Sequence, residues 1–224
     1  ATVPLYDPCC GSGTIPIEAA QIACGIAAGS QRRFGFEKLL PYQAHVWQGL
    51  KDEARAMEHA PTAPVFGSDV AHRMVDFAQR NAERAGVARA VQLRGGDALQ
   101  RMPPSEVPGI MLLNPPYGER IAAAGVAGRG RESFVPGQLA AHRAGRESAQ
   151  TDDGGDFFLQ LSAHWKKNFA GWSAWMLTPD LKLPGRMRLK ESRRVPMWNG
   201  PIECRLFRFD LVAGSARRDA GESA

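Results

Sequence analysis

The apolar run Ile110-Met111-Leu112-Leu113 stops abruptly at Asn114-Pro115-Pro116-Tyr117-Gly118, and no other stretch constrains the chain as tightly. The run reads as a short buried strand. Proline has no N–H to donate to a central sheet, so the pair of prolines ends the strand and Asn114 opens a rigid loop. With φ fixed at both prolines, the Asn114 side-chain oxygen and the Pro115 carbonyl are two outward-facing acceptors. Two fixed acceptors suit an amino group. Tyr117 adds a plane on which a flat base can stack, and Gly118 permits close approach. The competing reading is a proline-rich turn that does no more than close a strand.

A second constraint lies at the front. Thr2 to Tyr6 is a β-type run that leads into Asp7-Pro8-Cys9-Cys10-Gly11-Ser12-Gly13-Thr14. Thr14 is a fair N-cap and Pro16 fits a first helical turn. Ile15, Ala19, Ile22, Ala23 and Ile26 then recur on one face, ending near Gly25 and Gly29. Strand, glycine loop and helix in succession are shared by nucleotide-binding sheets, and a lone G-x-G is weak evidence. Two details argue against a dinucleotide. Pro16 stands where the third glycine of the fingerprint belongs, and Asp7 at the mouth of the loop repels a pyrophosphate. A cationic ligand without phosphate suits the loop better, and S-adenosylmethionine, with a sulfonium and an ammonium, is one.

The remaining elements alternate. Arg32 to Ala60 is an insertion with a helical pattern, Val46, Leu50, Ala54 and Met57 lying on one face. Val65 to Val70 reads as the second strand, with Asp69 at its C-terminal end, either an acceptor for two ribose hydroxyls or the N-cap of the next helix. That helix carries Val75, Ala78, Ala82 and Ala85 in register and stops at Gly86. Ala90 to Arg94 is a third strand, followed by Asp97, either an acceptor for an adenine amino group or a turn residue. A further helix starts at Asp156 with Phe158, Leu161, Trp165 and Phe169 inward, and Gly171 stops it. Trp172 to Leu177 is the fifth strand. Val195 to Trp198 and Ile202 to Leu211 form an antiparallel pair joined by an Asn199-Gly200 turn.

This alternation predicts an α/β chain with a mostly parallel, doubly wound sheet covered on both faces and an antiparallel hairpin at one edge. In such sheets the strand order reverses between the first and fourth strands, and ligands bind at the carboxyl ends there. The glycine loop and Asn114 are therefore expected to be neighbours, with Asp69 and Asp97 further along the same edge. Residues 122–155 show no countable period and are expected to be a flexible insertion. Residues 213–224 read as a polar tail.

Composition narrows the class. A chain of 224 residues suits one well-cored domain, and 44% hydrophobic with 23% charged residues suits a soluble, cytoplasmic protein; no apolar run is long enough to span a membrane. Cys9, Cys10, Cys24 and Cys204 form no CxxC pair, and the five histidines form no HExxH, so no metal is expected. Net charge is +5 and the pI about 9.3, which permits a nucleic-acid partner. Lys182, Arg186, Arg188, Lys190, Arg193 and Arg194 stand against the single acid Glu191. They read as phosphate contacts or as a solvated basic face.

Taken together, Asp7-Pro8-x-Cys10-Gly11-Ser12-Gly13-Thr14 and Asn114-Pro115-Pro116-Tyr117-Gly118-Glu119-Arg120 resemble the motifs of the THUMP-associated RNA guanine-N2 methyltransferases, in particular their bacterial 23S ribosomal RNA branch. The similarity runs from residue 1 to about residue 211, excluding 122–155. It implies a Rossmann-like class I S-adenosylmethionine-dependent methyltransferase, with residues 1–212 as its catalytic domain. By this resemblance Asp7, Gly11, Gly13 and Thr14 hold the methionine part of the cofactor, Asp69 the ribose and Asp97 the adenine, with Pro8, Cys10, Val70 and Ala98 also among the cofactor-binding residues. Asn114, Pro115, Pro116 and Tyr117 receive the target base, Asn114 beside the cofactor as well. The implied partner is 23S ribosomal RNA, and the implied state a monomer. Cys9 departs from the family, where Met or Phe is common. The family also carries an RNA-binding THUMP region before the first strand, which here begins at residue 2, so a catalytic domain cut from a longer protein is expected. Nothing in residues 114–117 separates guanine from adenine. An adenine-N6 methyltransferase on DNA or RNA therefore remains open beside a glutamine-N5 protein methyltransferase and a non-catalytic RNA-binding or ribosome-assembly module. Against the last stand the three acids Asp7, Asp69 and Asp97.

Overall fold

Neighbouring residues of a strand point to opposite faces of a sheet, so a sheet that is apolar on both sides needs cover on both. The computed structural model describes residues 2–115 and 154–212, and there the cover is complementary. Leu5–Asp7 (β1), Val65–Asp69 (β2), Val91–Gly95 (β3), Ile110–Leu113 (β4) and Ser173–Thr178 (β5) pair in parallel. Arg193–Asn199 (β6) and Ile202–Asp210 (β7) add an antiparallel pair, β7 lying against β5. The order is β3-β2-β1-β4-β5-β7-β6. Because β1 lies between β2 and β4, the winding reverses at its carboxyl end, the expected switch point.

Helices Thr14–Ala23 (α1), Ala44–Ala56 (α2), His72–Arg84 (α3), Gly154–Asn168 (α4) and the single turn Leu183–Arg186 (α5) fill the intervals. One face of the sheet buries Val65 and Val91 under Ile17, Ala20 and Ala23 of α1 and Ala82 of α3. The other buries Tyr6, Met111, Leu113, Ala174, Met176, Phe207 and Phe209 under Phe158, Leu161 and Trp165 of α4. The expected inward set of that helix, Phe158, Leu161, Trp165 and the following Phe169, is buried as a whole. No helix among the described residues is long and apolar enough to cross a membrane.

Several sequence expectations need correction. In α1 the buried stripe is Ile17, Ala20 and Ala23, while Ile22 is 68% exposed. Close approach to β2 and α3 favours the small side chains over the larger ones. Thr14 is not the cap: Gly13, at φ 91°, holds that position and Thr14 is the first helical residue. In α2 no residue is buried, and Val46, Leu50 and Met57 are exposed. That helix stands off the sheet, and its Trp47 packs edge-on against Phe34 and Phe36, at 5.6 and 5.0 Å between ring centroids. The third strand runs one residue later than expected, and residues 154 and 155 belong to α4 rather than to an insertion. In the hairpin Asn199 still pairs with Ile202, so the two-residue turn is Gly200-Pro201. Gly200 has φ 60° and proline is confined to negative φ, which leaves the II′ type. Residues 122–153 and 213–224 lie outside the described residues.

Gly67 in the middle of β2 is where the sheet admits the glycine loop. A Cβ there would lie 2.8 Å from Leu93 Cδ2 and 3.2 Å from both Cys10 Cβ and Pro16 Cγ. Gly67→Val should therefore destabilise the protein by about 1–3 kcal/mol through overpacking, read as a lower urea midpoint with an unchanged slope.

Candidate active site

The glycine loop is shaped by backbone donors with few acceptors within the loop itself. The Gly13 N–H finds Cys10 O at 2.8 Å, which makes a turn, the Cys10 thiol reaches Gly11 O at 3.8 Å, and three further bonds tie the loop to its surroundings. Cys10 N–H donates to Ser68 O at the end of β2 (2.9 Å), and Gly11 N–H donates to Asp69 Oδ2 (2.9 Å). From α3, Asn81 Nδ2 donates to Ser12 O (2.7 Å). Gly11, at φ 52°, and Gly13 turn the chain over the sheet edge and into α1.

Asp7, at the end of β1, is 1% exposed, and its Oδ1 accepts from Cys9 N–H at 2.9 Å. Asp69 spends its other oxygen on Ala71 N–H (2.9 Å). Helix α3 is capped by Ala71, so Asp69 is a brace between β2 and the loop rather than an N-cap. Asp97 Oδ1 accepts from Leu99 N–H (2.9 Å), and its main-chain oxygen accepts from Gln100 and Arg101, so Asp97 builds the turn after β3. The three acids share a field. Burial raises the Cys9 thiol pKa well above the ordinary range, and Asp7, Asp69 and Asp97 each push it higher. Burial likewise drives the Asp7 carboxyl up to about 7, against the Cys9 hydrogen bond, and Asp69 adds to the rise. Both Cys9 and Cys10, the latter raised by burial and then by Asp7 and Asp69, are neutral thiols at neutral pH and not nucleophiles.

Parallel pairing of Leu5 with Ile110 and Tyr6 with Met111 brings the end of β4 beside the end of β1. Asn114 is exposed and Pro115 buried as the chain leaves β4. Pro116 and Tyr117 lie outside the described residues. Of the other candidates, Pro8, Cys10 and Gly13 are buried, Gly11 and Val70 partly so, and Thr14 is exposed. Ala98 belongs to the α4-side core, which leaves its backbone for any contact.

The basic segment is not one patch. It crosses from the carboxyl end of β5 to the start of β6, so Lys182 and Arg193 are carried to different edges. Arg186 is paired with Asp180 at 2.8 Å, and Arg194 with Glu191 at 2.6 Å and over the Phe207 ring. Lys182, Arg188, Lys190 and Arg193 are exposed.

Sequence reasoning missed the layer beneath the acids. Tyr6 OH and Ser68 Oγ are hydrogen-bonded at 2.7 Å and buried, and Arg101 approaches the same phenol while its stem covers Gly96. His164 Nε2 on α4 donates to Arg101 O at 2.8 Å, and its Nδ1 accepts from Asn168 Nδ2 at 2.9 Å. A tyrosine one residue before the motif acid was the only visible signal. Among the described residues no group of three His, Cys, Asp or Glu side chains is arranged to hold a metal ion.

A mostly parallel sheet with antiparallel C-terminal strands and acids lining its switch point defines a class I methyltransferase fold. The chain belongs to the family described as RMKL-like, methyltransferase domain, whose model matches residues 1–129. It is 37% identical over 220 residues to ribosomal RNA large subunit methyltransferase K/L of Shewanella baltica (strain OS185), covering 96% of this chain and 27% of that protein. The enzyme of the same name from Shewanella loihica is 38% identical over 219 residues. The chain thus spans about a quarter of the length of these relatives. Among solved structures, a possible methylase from Clostridium difficile 630 matches with a TM-score of 0.74 at 26% identity, over 95% of this chain and 49% of that one. SMU.472 complexed with SAH matches equally well at 24% identity, over the same shares.

The Asp7 carboxyl makes stability depend on pH. The unfolded chain releases this proton near pH 4, and the folded protein holds it to about pH 7. Stability contributed by the group is full below the unfolded value and is lost as pH rises through the folded one. Asp7→Asn keeps an acceptor for Cys9 but cannot titrate. Between about pH 4 and pH 7 its melting temperature should fall less steeply than that of the wild type, as thermal scans across that range would record.

Proposed function

We propose that this domain transfers a methyl group from S-adenosylmethionine to the exocyclic N2 of a guanine in 23S ribosomal RNA, in the cytoplasm where ribosomes are built. The observation that carries the reading is the crowding of Asp7, Asp69 and Asp97 around one loop at the switch point, beside the strand that delivers Asn114. The substrate is argued from the names of the K/L relatives and from the match to motifs of guanine-N2 enzymes.

The donor set fits the cofactor. A buried carboxyl already strained by a second acid gains from a nearby cation, and S-adenosylmethionine brings two. Asp7 and the loop from Pro8 to Thr14, with Cys10, Gly11 and Gly13, would hold its methionine part, Asp69 and Val70 the ribose, and Asp97 and Ala98 the adenine. When bound, it supplies a methyl group activated on a sulfonium.

The target nitrogen is a weak nucleophile because its lone pair is delocalised into the ring. Asn114 Oδ1 and the Pro115 carbonyl accept its two hydrogens and favour a pyramidal nitrogen turned towards the methyl, with Pro116 stiffening the loop and Tyr117 stacked on the base. No strong base is needed: N2 gives up one proton to water after transfer. Extruding the base costs a few kcal/mol and is cheapest from a single strand. Glycine-loop residues Cys9 and Cys10, being neutral thiols, take no covalent part.

Asn114→Ala should lower turnover on unmodified 23S RNA about 10²- to 10³-fold while the affinity for S-adenosylmethionine changes only a few-fold. A single-turnover rate equal to wild type removes Asn114 from the chemistry. Calorimetry with S-adenosylmethionine should show binding coupled to proton release below about pH 7, as the Asp7 carboxyl ionises. Titrations in buffers of different ionisation enthalpy measure the protons released. Nucleoside analysis of the methylated product distinguishes guanine N2 from adenine N6.

A further inference from the structure

The β6–β7 hairpin reaches out over the edge on which the candidate active site lies. Strand β7 runs antiparallel to β5 and β6 antiparallel to β7, so β6 points the same way as β4 and β5. Its turn is therefore at the carboxyl edge, with the glycine loop and Asn114. Thr178, the last residue of β5, pairs with Arg205, whereas the hairpin ladder continues to Asn199 and Ile202. Those three further pairs carry the tip roughly 10 Å beyond the end of β5.

Trp198 sits on this overhang, opposite Glu203, and is 66% exposed. The core tryptophans Trp165 and Trp172 are buried at 0% and 2%. Met197 and Ile202 at the same tip are exposed as well. An indole held on a two-stranded ribbon and closed by a rigid Gly200-Pro201 turn has no role in the described core. What it offers is a flat, pre-positioned aromatic face. Its position can be read from the register: Leu113 is level with Met176, Met176 with Phe207 and Phe207 with Arg194. Trp198 lies four residues beyond that level and three strands across, about 20 Å from the end of β4 by sheet spacing. A few nucleotides of single strand span that gap. One step along the same face of the ribbon, Arg205 on β7 supplies a cationic group for a phosphate backbone, braced by Glu203 at 2.8 Å.

We propose that the tip of the β6–β7 hairpin is a second RNA contact, in which Trp198 stacks on an unpaired nucleotide flanking the target base. The proposal rests on the RNA-methylating reading above. Base stacking on an aromatic side chain tolerates any base, so the contact holds the strand and leaves the choice of target to the loop at Asn114.

The test uses the whole 224-residue chain with unmodified 23S RNA and, separately, a fluorescently labelled single-stranded RNA heptamer. Trp198→Ala should raise the RNA KM, and the Kd for the heptamer, about 5- to 150-fold while calorimetric S-adenosylmethionine affinity is unchanged. Trp198→Phe, which keeps a stacking face, should restore most of the affinity. Because a stack and not a charge is removed, the dependence of log Kd on log salt should keep its slope, whereas Arg205→Gln should flatten it. Equal heptamer affinities for wild type and Trp198→Ala, both folded and both binding S-adenosylmethionine, overturn the assignment and leave a protein partner as the occupant of the tip. A wild type that binds the heptamer through Trp198 but methylates no RNA counts against the enzyme reading alone.

Discussion

Two hydrogen bonds donated by backbone N–H groups hold the candidate active site in shape: Cys10 N–H to Ser68 O and Gly11 N–H to Asp69 Oδ2, both 2.9 Å. They tie the loop after β1 to the end of β2, and through Asp69 to the turn after β3, whose Gly96 N–H donates to Asp69 O at 2.9 Å. Three successive carboxyl ends of the sheet thereby become one rigid rim. At this rim the Asp7 carboxyl is pushed up to about 7, first by its burial and then by Asp69 beside it. A folded domain that keeps such a rim gives up stability at neutral pH for readiness to receive positive charge, a pattern that marks functional sites more often than structural ones.

Most of the sheet was legible because its strands are short apolar runs ended by chemically decisive residues: Asp7, Asp69 and Asn114-Pro115 each mark a carboxyl end. The antiparallel hairpin announced itself through Asn199-Gly200, although the structure places the turn one residue later. Proline at 201 cannot occupy a paired, hydrogen-bonding position, whereas Asn199 can, and this local fact outweighed the familiar dipeptide.

What periodicity could not supply was the choice among apolar faces. In α1 two stripes compete, and the larger side chains of Ile15 and Ile22 suggested the wrong one; close packing against β2 and Ala78 of α3 selects Ile17, Ala20 and Ala23. In α2 a clean apolar stripe proved to be unburied, Leu50 and Ala54 lining an open cavity with Ile26 and Phe34, since the helix belongs to an excursion whose packing is aromatic, through Phe34, Phe36 and Trp47. The basic segment is divided for a related reason. Charges adjacent in sequence need not be adjacent in space when the chain between them crosses a sheet from one end to the other. His164, Arg101 and the Tyr6–Ser68 pair were invisible because each depends on partners some sixty residues away.

The outermost position of β6 leaves one row of its peptide groups without a neighbouring strand in the described sheet. Such a rim invites foreign chains to add on. Pro196 interrupts the row at its centre, and Arg193 and Arg194 charge its beginning. A ribbon that projects past the end of β5 is in this way kept from recruiting another β-strand and can persist without seeding aggregation.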